Sequence, residues 1–172
     1  MKSFIILLAL LLPGVASGGW TDASGKPMPD RESMRSAGDF GVQLHLVPDD
    51  TEFRRIWESS SSPPTLRTTD RVGRGSSISA MLVFYGCARS NTGKCDVFAE
   101  FVLVDPDGKR TPAGTGPVWT ATPVSGKLLL AAVSMKVGFD QTDATGNYGV
   151  IAIVTDRISG RSLTLSSPFM VE

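Results

Sequence analysis

The chain has 172 residues, with 17 basic residues (lysine or arginine) balancing 17 acidic ones (aspartate or glutamate), so its formal net charge at pH 7 is zero. A neutral chain without a basic block has no electrostatic basis for binding nucleic acid or an anionic membrane, and we expect no nucleic-acid partner. A chain of this length can bury the core of one ordinary domain.

The N-terminus has the order of features of a secretory signal. Lys2 supplies a positive charge, residues 4–12 form an unbroken apolar run, and a proline, a glycine and small residues follow at 13–18. A helix that crosses a membrane needs about 20 apolar residues, so this run is too short to serve as an anchor. We predict a signal peptide at 1–17 and a mature protein that is periplasmic or secreted, without stable membrane insertion after cleavage.

The segment after the signal is predicted to lack fixed structure. Residues 18–38 are rich in glycine, serine, proline and charged residues and show no period of 3.6 or 2, so we interpret them as a flexible leader. The folded domain is then predicted to occupy 39–172. It begins with a half-buried strand, because apolar and polar residues alternate at 42–46.

A short amphipathic helix is predicted at 51–58, where Phe53, Ile56 and Trp57 fall at i, i+3 and i+4. Its apolar face has two interpretations. It covers an open end or edge of its own sandwich, which is the usual role, or it is an anchor for a partner. A tryptophan beside two arginines has the composition of an interface hot spot. The candidate binding residues are Phe53, Arg54, Arg55 and Trp57.

The rest of the chain is predicted to consist of strands and turns. The predicted strands are 66–72, 76–85, 97–104, 128–133, 135–139, 148–156 and 161–171. Segment 76–85 is apolar on both faces, which is typical of a central strand. Seven or eight short strands with one short helix indicate an all-β fold, namely a two-sheet antiparallel immunoglobulin-like sandwich. An open-ended barrel is the alternative.

The only two cysteines are Cys87 and Cys95. In an oxidising compartment such a pair forms a disulfide, and the spacing suits the two arms of a hairpin joined by a loop. A metal pair is the alternative, but the chain has a single histidine with which to complete a site. We therefore predict a disulfide and no metal site.

Several motifs carry a resemblance to known proteins: Phe53-x3-Trp57, Arg74-Gly75, Phe84-x-Gly86-Cys87, Pro106-Asp107-Gly108, and the alternating run 146–156 that contains Tyr148. The region from about residue 40 to the C-terminus, which contains these motifs, resembles a family of small exported bacterial proteins of uncharacterised function. The resemblance implies export and an immunoglobulin-like sandwich. It implies no activity and no functional residues.

Few residues could support catalysis. His45 lies on the polar side of the first predicted strand, and we interpret it as an exposed strand residue rather than a catalytic base. Asp105 and Asp107 are explained by the geometry of an Asp-Pro-Asp-Gly turn. Three residues could offer oxygen ligands to Ca²⁺ without matching the EF-hand spacing: Asp140, Asp143 and Asn147. We predict no catalytic residues, no metal and no cofactor.

These observations favour an exported, non-enzymatic β-sandwich protein that binds another macromolecule, with a protein of the cell envelope as the expected partner. The alternative is a periplasmic inhibitor or immunity protein that blocks an envelope-acting enzyme with a loop such as 87–95. A hydrolase that uses acidic residues is the third hypothesis. The sequence favours no particular oligomeric state.

Overall fold

The computed structural model describes residues 19–22, 24–60 and 65–172, and the predicted signal peptide lies outside them. In chain order the elements are β1 (Met34–Ala37), β2 (Phe40–Val47), α1 (Asp50–Ser59), β3 (Arg71–Val72), β4 (Ser77–Tyr85), β5 (Val97–Val104), β6 (Arg110–Trp119), β7 (Leu129–Leu130), β8 (Met135–Gly138), β9 (Gly146–Asp156) and β10 (Arg161–Val171). Within the described ranges, no helix has both the length and the apolar character needed to cross a membrane.

The strands form two sheets. In the first sheet the order is β1-β2-β4-β7, with β8 also paired to β4, and in the second it is β3-β10-β9-β5-β6. Neighbouring strands are antiparallel except β3 and β10, which are parallel over two residues. The prediction of an all-β, two-sheet immunoglobulin-like sandwich with one short helix is confirmed.

The main core lies between the two sheets. One face of β4 contributes Ile78, Leu82 and Phe84, and the facing side of β9 contributes Val150 and Val154. The opposite face of β4 is buried as well, in a second cluster that lies beneath α1. Strand β4 is therefore apolar on both faces because it is central in its sheet and is covered on both sides.

Helix α1 covers the outer face of the first sheet. Its N-cap is Asp49, whose side chain accepts a hydrogen bond from the Glu52 backbone N–H at 2.9 Å. Phe53 is 3% exposed, and the half-buried Trp57 packs beside it. The strand residues in this cluster are Val47, Met81 and Val83.

The prediction that residues 18–38 form a flexible leader is wrong, because part of this segment pairs and packs with the rest of the fold. Strand β1, at Met34–Ala37, pairs antiparallel with β2. Trp20 is 6% exposed, and its indole N–H donates to the Arg35 carbonyl at 3.1 Å. Backbone pairing and one buried aromatic hold this segment, and neither produces a periodic pattern in the sequence. The folded domain therefore includes residues before 39.

Strand β6 was not predicted, because Pro112, Gly114 and Pro117 interrupt its sequence. It lies at the edge of the second sheet, where a proline can be accommodated without removing a ladder hydrogen bond. Its pairing with β5 contains two register shifts, and prolines and bulges of this kind protect an edge from pairing with other chains. The predicted strand at 66–72 is shorter in the structure, at Arg71–Val72.

Candidate functional site

A cleft of about 620 Å³ opens where β4 ends and β2 begins. Its walls come from residues 19–21, from Asp39, from the segment that leaves β4 at Tyr85, and from the loop at 123–129. These segments are far apart in sequence and meet because β2 and β4 are antiparallel, so that Gly41 lies opposite Tyr85. We refer to it below as the end cleft.

Two aromatic rings line the end cleft. Trp20 and Tyr85 are in edge-to-face contact, with ring centroids 4.8 Å apart and an interplanar angle of 90°. The Tyr85 ring lies directly over Gly41, and a Cβ at that position would collide with it. Gly86 has φ 74°, and a Cβ there would collide with the Asp39 carbonyl. These two glycines allow the walls of the cleft to approach each other.

The hydroxyl of Tyr85 is buried and has no hydrogen-bond partner among the described residues. Burial, together with the carboxylates of Asp30 and Asp39, raises the pKa of Tyr85. Both effects disfavour the charged phenolate, so the ring stays neutral. A buried hydroxyl without a hydrogen-bond partner lowers the stability of the folded protein. The Tyr85 hydroxyl is therefore not explained by a contribution to stability.

The rim of the end cleft combines apolar and basic groups. Arg89 donates from Nη2 to the Ser125 hydroxyl at 2.6 Å, which places the guanidinium beside the 123–129 loop. Lys127 lies on the same loop and is exposed. Val124 is 53% exposed. Within the described residues, Val124 and Ile158 are the exposed large hydrophobic side chains, and only Val124 lines the end cleft.

The candidate binding residues proposed from the sequence lie elsewhere, on α1. Phe53 and Trp57 have parallel rings with centroids 6.4 Å apart, and both pack on the first sheet. Arg54 donates to the carbonyls of Ala131 and Ala132 at 3.1 and 3.2 Å. It therefore fastens the helix to the connection between β7 and β8. None of these residues lines the end cleft.

Arg55 has a different environment from Arg54. Its exposed guanidinium pairs with Glu52, one turn earlier on the helix, at 2.6 Å. Exposed pairs of this kind contribute little to stability. Arg55 is the member of the sequence-predicted set whose side chain is exposed to solvent.

The predicted disulfide between Cys87 and Cys95 is present, with the two Cα atoms 6.0 Å apart. The prediction that its loop joins two arms of a hairpin is wrong. Strand β4 before the loop belongs to the first sheet, and β5 after it belongs to the second. The disulfide therefore closes a crossover between sheets, and Cys87 also lines the end cleft.

The prediction that His45 is exposed is wrong. Its ring lies beneath α1, with its centroid 6.1 Å from that of Phe53, and its Nε2 is 3.1 Å from the Gln43 side-chain oxygen. Burial lowers the pKa of His45, because the protonated ring would lose its hydration. The polar side of β2 is covered because α1 packs across it.

The acidic residues considered as ligands form local turns. The Asp140 carboxylate accepts from the backbone N–H and the hydroxyl of Thr142 at 2.9 and 2.6 Å, and the Asp143 carboxylate accepts from the Asp140 N–H at 2.7 Å. Asp105 likewise accepts from the N–H groups of Asp107 and Lys109. No group of three potential metal-ligating side chains occurs within the described ranges.

The end cleft cannot be predicted from the sequence. Its walls come from four separate stretches of the chain, and nothing in their spacing indicates that they meet. One signal was available, since Trp20 is a large aromatic residue in an otherwise polar segment. An aromatic of that size is buried on average, which argues against a leader without structure.

No protein-family model and no curated protein matches the sequence. Among solved structures, the chain is similar to a Niemann-Pick type C2 protein from the Japanese carpenter ant, at 8% identity over 76% of this chain and 89% of that chain, with a TM-score of 0.43. An immunoglobulin-like protein from Pseudomonas aeruginosa aligns at 15% identity over 76% of this chain and 91% of that chain, with a TM-score of 0.33.

A family 123 glycoside hydrolase from Clostridium perfringens aligns at 11% identity over 76% of this chain, with a TM-score of 0.47. The aligned region covers 27% of the hydrolase chain. Nothing about ligands or activity follows from similarity at this level. The resemblance to a family of small exported bacterial proteins stays a prediction.

Proposed function

We propose that this chain is an exported, non-enzymatic β-sandwich protein that binds another protein of the cell envelope through the end cleft. The observation that carries the proposal is the cleft itself, about 620 Å³ in volume, with two aromatic rings in its wall and an exposed valine at its rim. That volume lies in the range of known binding pockets, and it can accept a few residues of a partner.

Export is supported by the features of the N-terminal 17 residues and by the disulfide between Cys87 and Cys95. Disulfides persist in oxidising compartments and are rare in the reducing cytosol. Expression in a Gram-negative host, followed by fractionation and intact-mass analysis, tests this part. The expected product is a periplasmic chain that begins near residue 18. Recovery of the full 172-residue chain in the membrane fraction would contradict it.

Binding through the end cleft is tested by photo-crosslinking. A photoreactive residue at Val124 lies on the rim of the cleft, whereas one at Ile158 is a matched control that is also apolar and exposed. In the native envelope, we expect the probe at position 124 to trap a specific protein and the probe at 158 not to trap it. Equal adducts from both positions, or none from position 124, would contradict binding at this cleft.

An inhibitor function is the second candidate, and the structure of the 88–94 loop favours it. The loop is mostly exposed, is closed by the disulfide, and is stiffened by hydrogen bonds from the Ser90 N–H to the Lys94 carbonyl and from the Gly93 N–H to the Ser90 carbonyl. A loop that is already held in one conformation binds with a smaller loss of conformational entropy. A photoreactive residue at Asn91 that traps an envelope-acting enzyme, with loss of the enzyme's activity, would favour this function.

A further inference from the structure

We infer that the end cleft recognises an acidic group next to an apolar side chain, so that the bound element is an acidic, apolar segment of the partner protein. This inference rests on the proposed function and names the chemistry of the same site. It follows from the combination of an apolar wall with two basic side chains on one side of the opening.

The apolar part of the site is built around the edge-to-face pair of Trp20 and Tyr85. Val124 extends this surface to the rim and is 53% exposed. Leaving an aliphatic side chain of this size in water is unfavourable, and an apolar side chain of the partner would cover it. Binding at this cleft would therefore remove apolar surface from water on both molecules.

The basic part of the site consists of Arg89 and Lys127. Neither side chain forms an ion pair in the described part of the chain, whose salt bridges involve other residues. Arg89 uses one N–H in its hydrogen bond to Ser125, and a guanidinium has five N–H donors. The remaining donors suit a carboxylate, which accepts two parallel hydrogen bonds from arginine.

Asp39 gives one side of the cleft a negative charge, whereas Arg89 and Lys127 give the other side a positive charge. Asp39 lines the same cleft, and its backbone lies against Gly86, the residue after Tyr85. An acidic group near Asp39 would be repelled, whereas one near Arg89 and Lys127 would be attracted. The acidic group of the partner is therefore placed against the 123–129 loop, and hydrogen-bond donors of the partner are placed towards Asp39.

Two fluorescent probes test this chemistry on the mature, disulfide-bonded protein. The anionic probe is 1-anilinonaphthalene-8-sulfonate, and N-phenyl-1-naphthylamine has the same aromatic body without the sulfonate. We expect the anionic probe to bind about tenfold more tightly, as charge pairs with two exposed basic side chains allow. Energy transfer from tryptophan to the bound probe, reduced in a Trp20→Phe variant, should locate both probes in the end cleft.

The variants separate charge from general binding. Arg89→Gln combined with Lys127→Gln should reduce the affinity for the anionic probe to that for the neutral one and leave the neutral probe unchanged. The matched control is Lys94→Gln combined with Lys109→Gln, which removes the same charge from exposed positions outside the cleft. It should retain the difference between the probes. Thermal melts check that all variants are folded.

Each outcome has one interpretation. Equal binding of both probes, unaffected by the Arg89 and Lys127 changes, would overturn the acidic specificity and leave the proposed binding function standing. Equal losses in both double variants would assign the effect to net charge and would also overturn it. Absence of binding by either probe, together with no adduct at position 124, would overturn the proposed function itself. Mapping of the adduct should place an aspartate, a glutamate or a chain terminus beside the crosslinked residue.

Discussion

The carboxylate of Asp156 accepts a hydrogen bond from the backbone N–H of Ala88 at 2.8 Å. Asp156 ends β9 and is 0% exposed, while Ala88 begins the disulfide-closed loop. The same carboxylate accepts from the Ser159 hydroxyl at 2.7 Å and from the Ile158 N–H at 3.1 Å. One buried carboxylate therefore holds the crossover between the sheets against the turn that joins β9 and β10.

Replacement of this carboxylate should lower stability substantially. We expect Asp156→Ala to reduce the free energy of unfolding by roughly 3 kcal/mol, because the donors on Ala88, Ile158 and Ser159 lose a charged acceptor. Asp156→Asn should cost less, since its amide oxygen still accepts. Urea unfolding measures the difference. Asp107→Ala, at an exposed turn position, is the control and should change stability by no more than about 0.5 kcal/mol. Equal effects of Asp156→Ala and Asp107→Ala would contradict this role.

The strands that could be predicted from the sequence are those with a regular pattern of burial. Strands β2, β4, β9 and β10 alternate apolar and polar residues, or are apolar throughout, because one or both of their faces contact the core. Strands β1 and β6 were missed. They lie at the edges of the sheets, where few side chains contact the core and where glycine and proline are tolerated.

The candidate site was harder to predict than the fold. The pattern at Phe53 and Trp57 is local and marks an apolar helix face, but it does not show what that face covers. The end cleft depends on the position of Trp20 against Tyr85, two residues that are far apart in sequence. Their contact depends on the hydrogen bond from Trp20 to Arg35 in β1 and on the pairing of β1 with β2 and of β2 with β4. No spacing rule contains that information.

Substitutions in α1 test how much the helix contributes to the free energy of unfolding. Phe53→Ala should lower the free energy of unfolding by roughly 3 to 5 kcal/mol, as removal of a fully buried aromatic ring does. Trp57→Ala should cost less than Phe53→Ala because that ring is half-buried. Arg55→Ala is the control on the exposed side of the same helix and should change stability by no more than about 0.5 kcal/mol. Denaturant melts measure these changes. A negligible loss of stability in Phe53→Ala would show that the helix does not stabilise the sheet.

His45 should make stability depend on pH. Its pKa is lowered in the folded protein, so the unfolded chain takes up a proton first as the pH falls below the ordinary value of about 6.5. The protonation of His45 therefore does not reduce stability above that pH. It reduces stability progressively as the pH falls towards the lower pKa of the folded state. We expect wild type to lose more stability than His45→Gln between about pH 7.5 and about pH 5. Parallel losses in the two proteins would exclude a contribution from His45.

Tyr85 allows a test of the unpartnered hydroxyl. Removal of a buried tyrosine hydroxyl normally lowers stability by about 1 kcal/mol, because a hydrogen bond is lost. At Tyr85 no such bond is present among the described residues, and Tyr85→Phe should be neutral or slightly stabilising. Thermal melts of the two proteins measure the effect. A clear loss of stability would show that the hydroxyl has a partner in solution.

The disulfide should stabilise both the fold and the shape of the end cleft. Replacing Cys87 and Cys95 together by serine should lower the free energy of unfolding by about 2.5 kcal/mol, the value for a short closed loop in the chain-entropy model. Secondary structure should persist, because β4 and β5 each pair with other strands in their own sheets. In the native protein both sulfurs should resist alkylation until they are reduced.

The double serine variant should also bind the anionic probe more weakly, because Cys87 lines the cleft and Arg89 follows it on the crossover. When the closure is lost, the segment that carries Arg89 gains freedom, and ordering it again on binding costs free energy. Probe titrations under conditions where the variant is fully folded separate this effect from unfolding. If the variant binds the probe as tightly as wild type, the crossover does not need the disulfide to position Arg89, and the role of the bond is confined to stability.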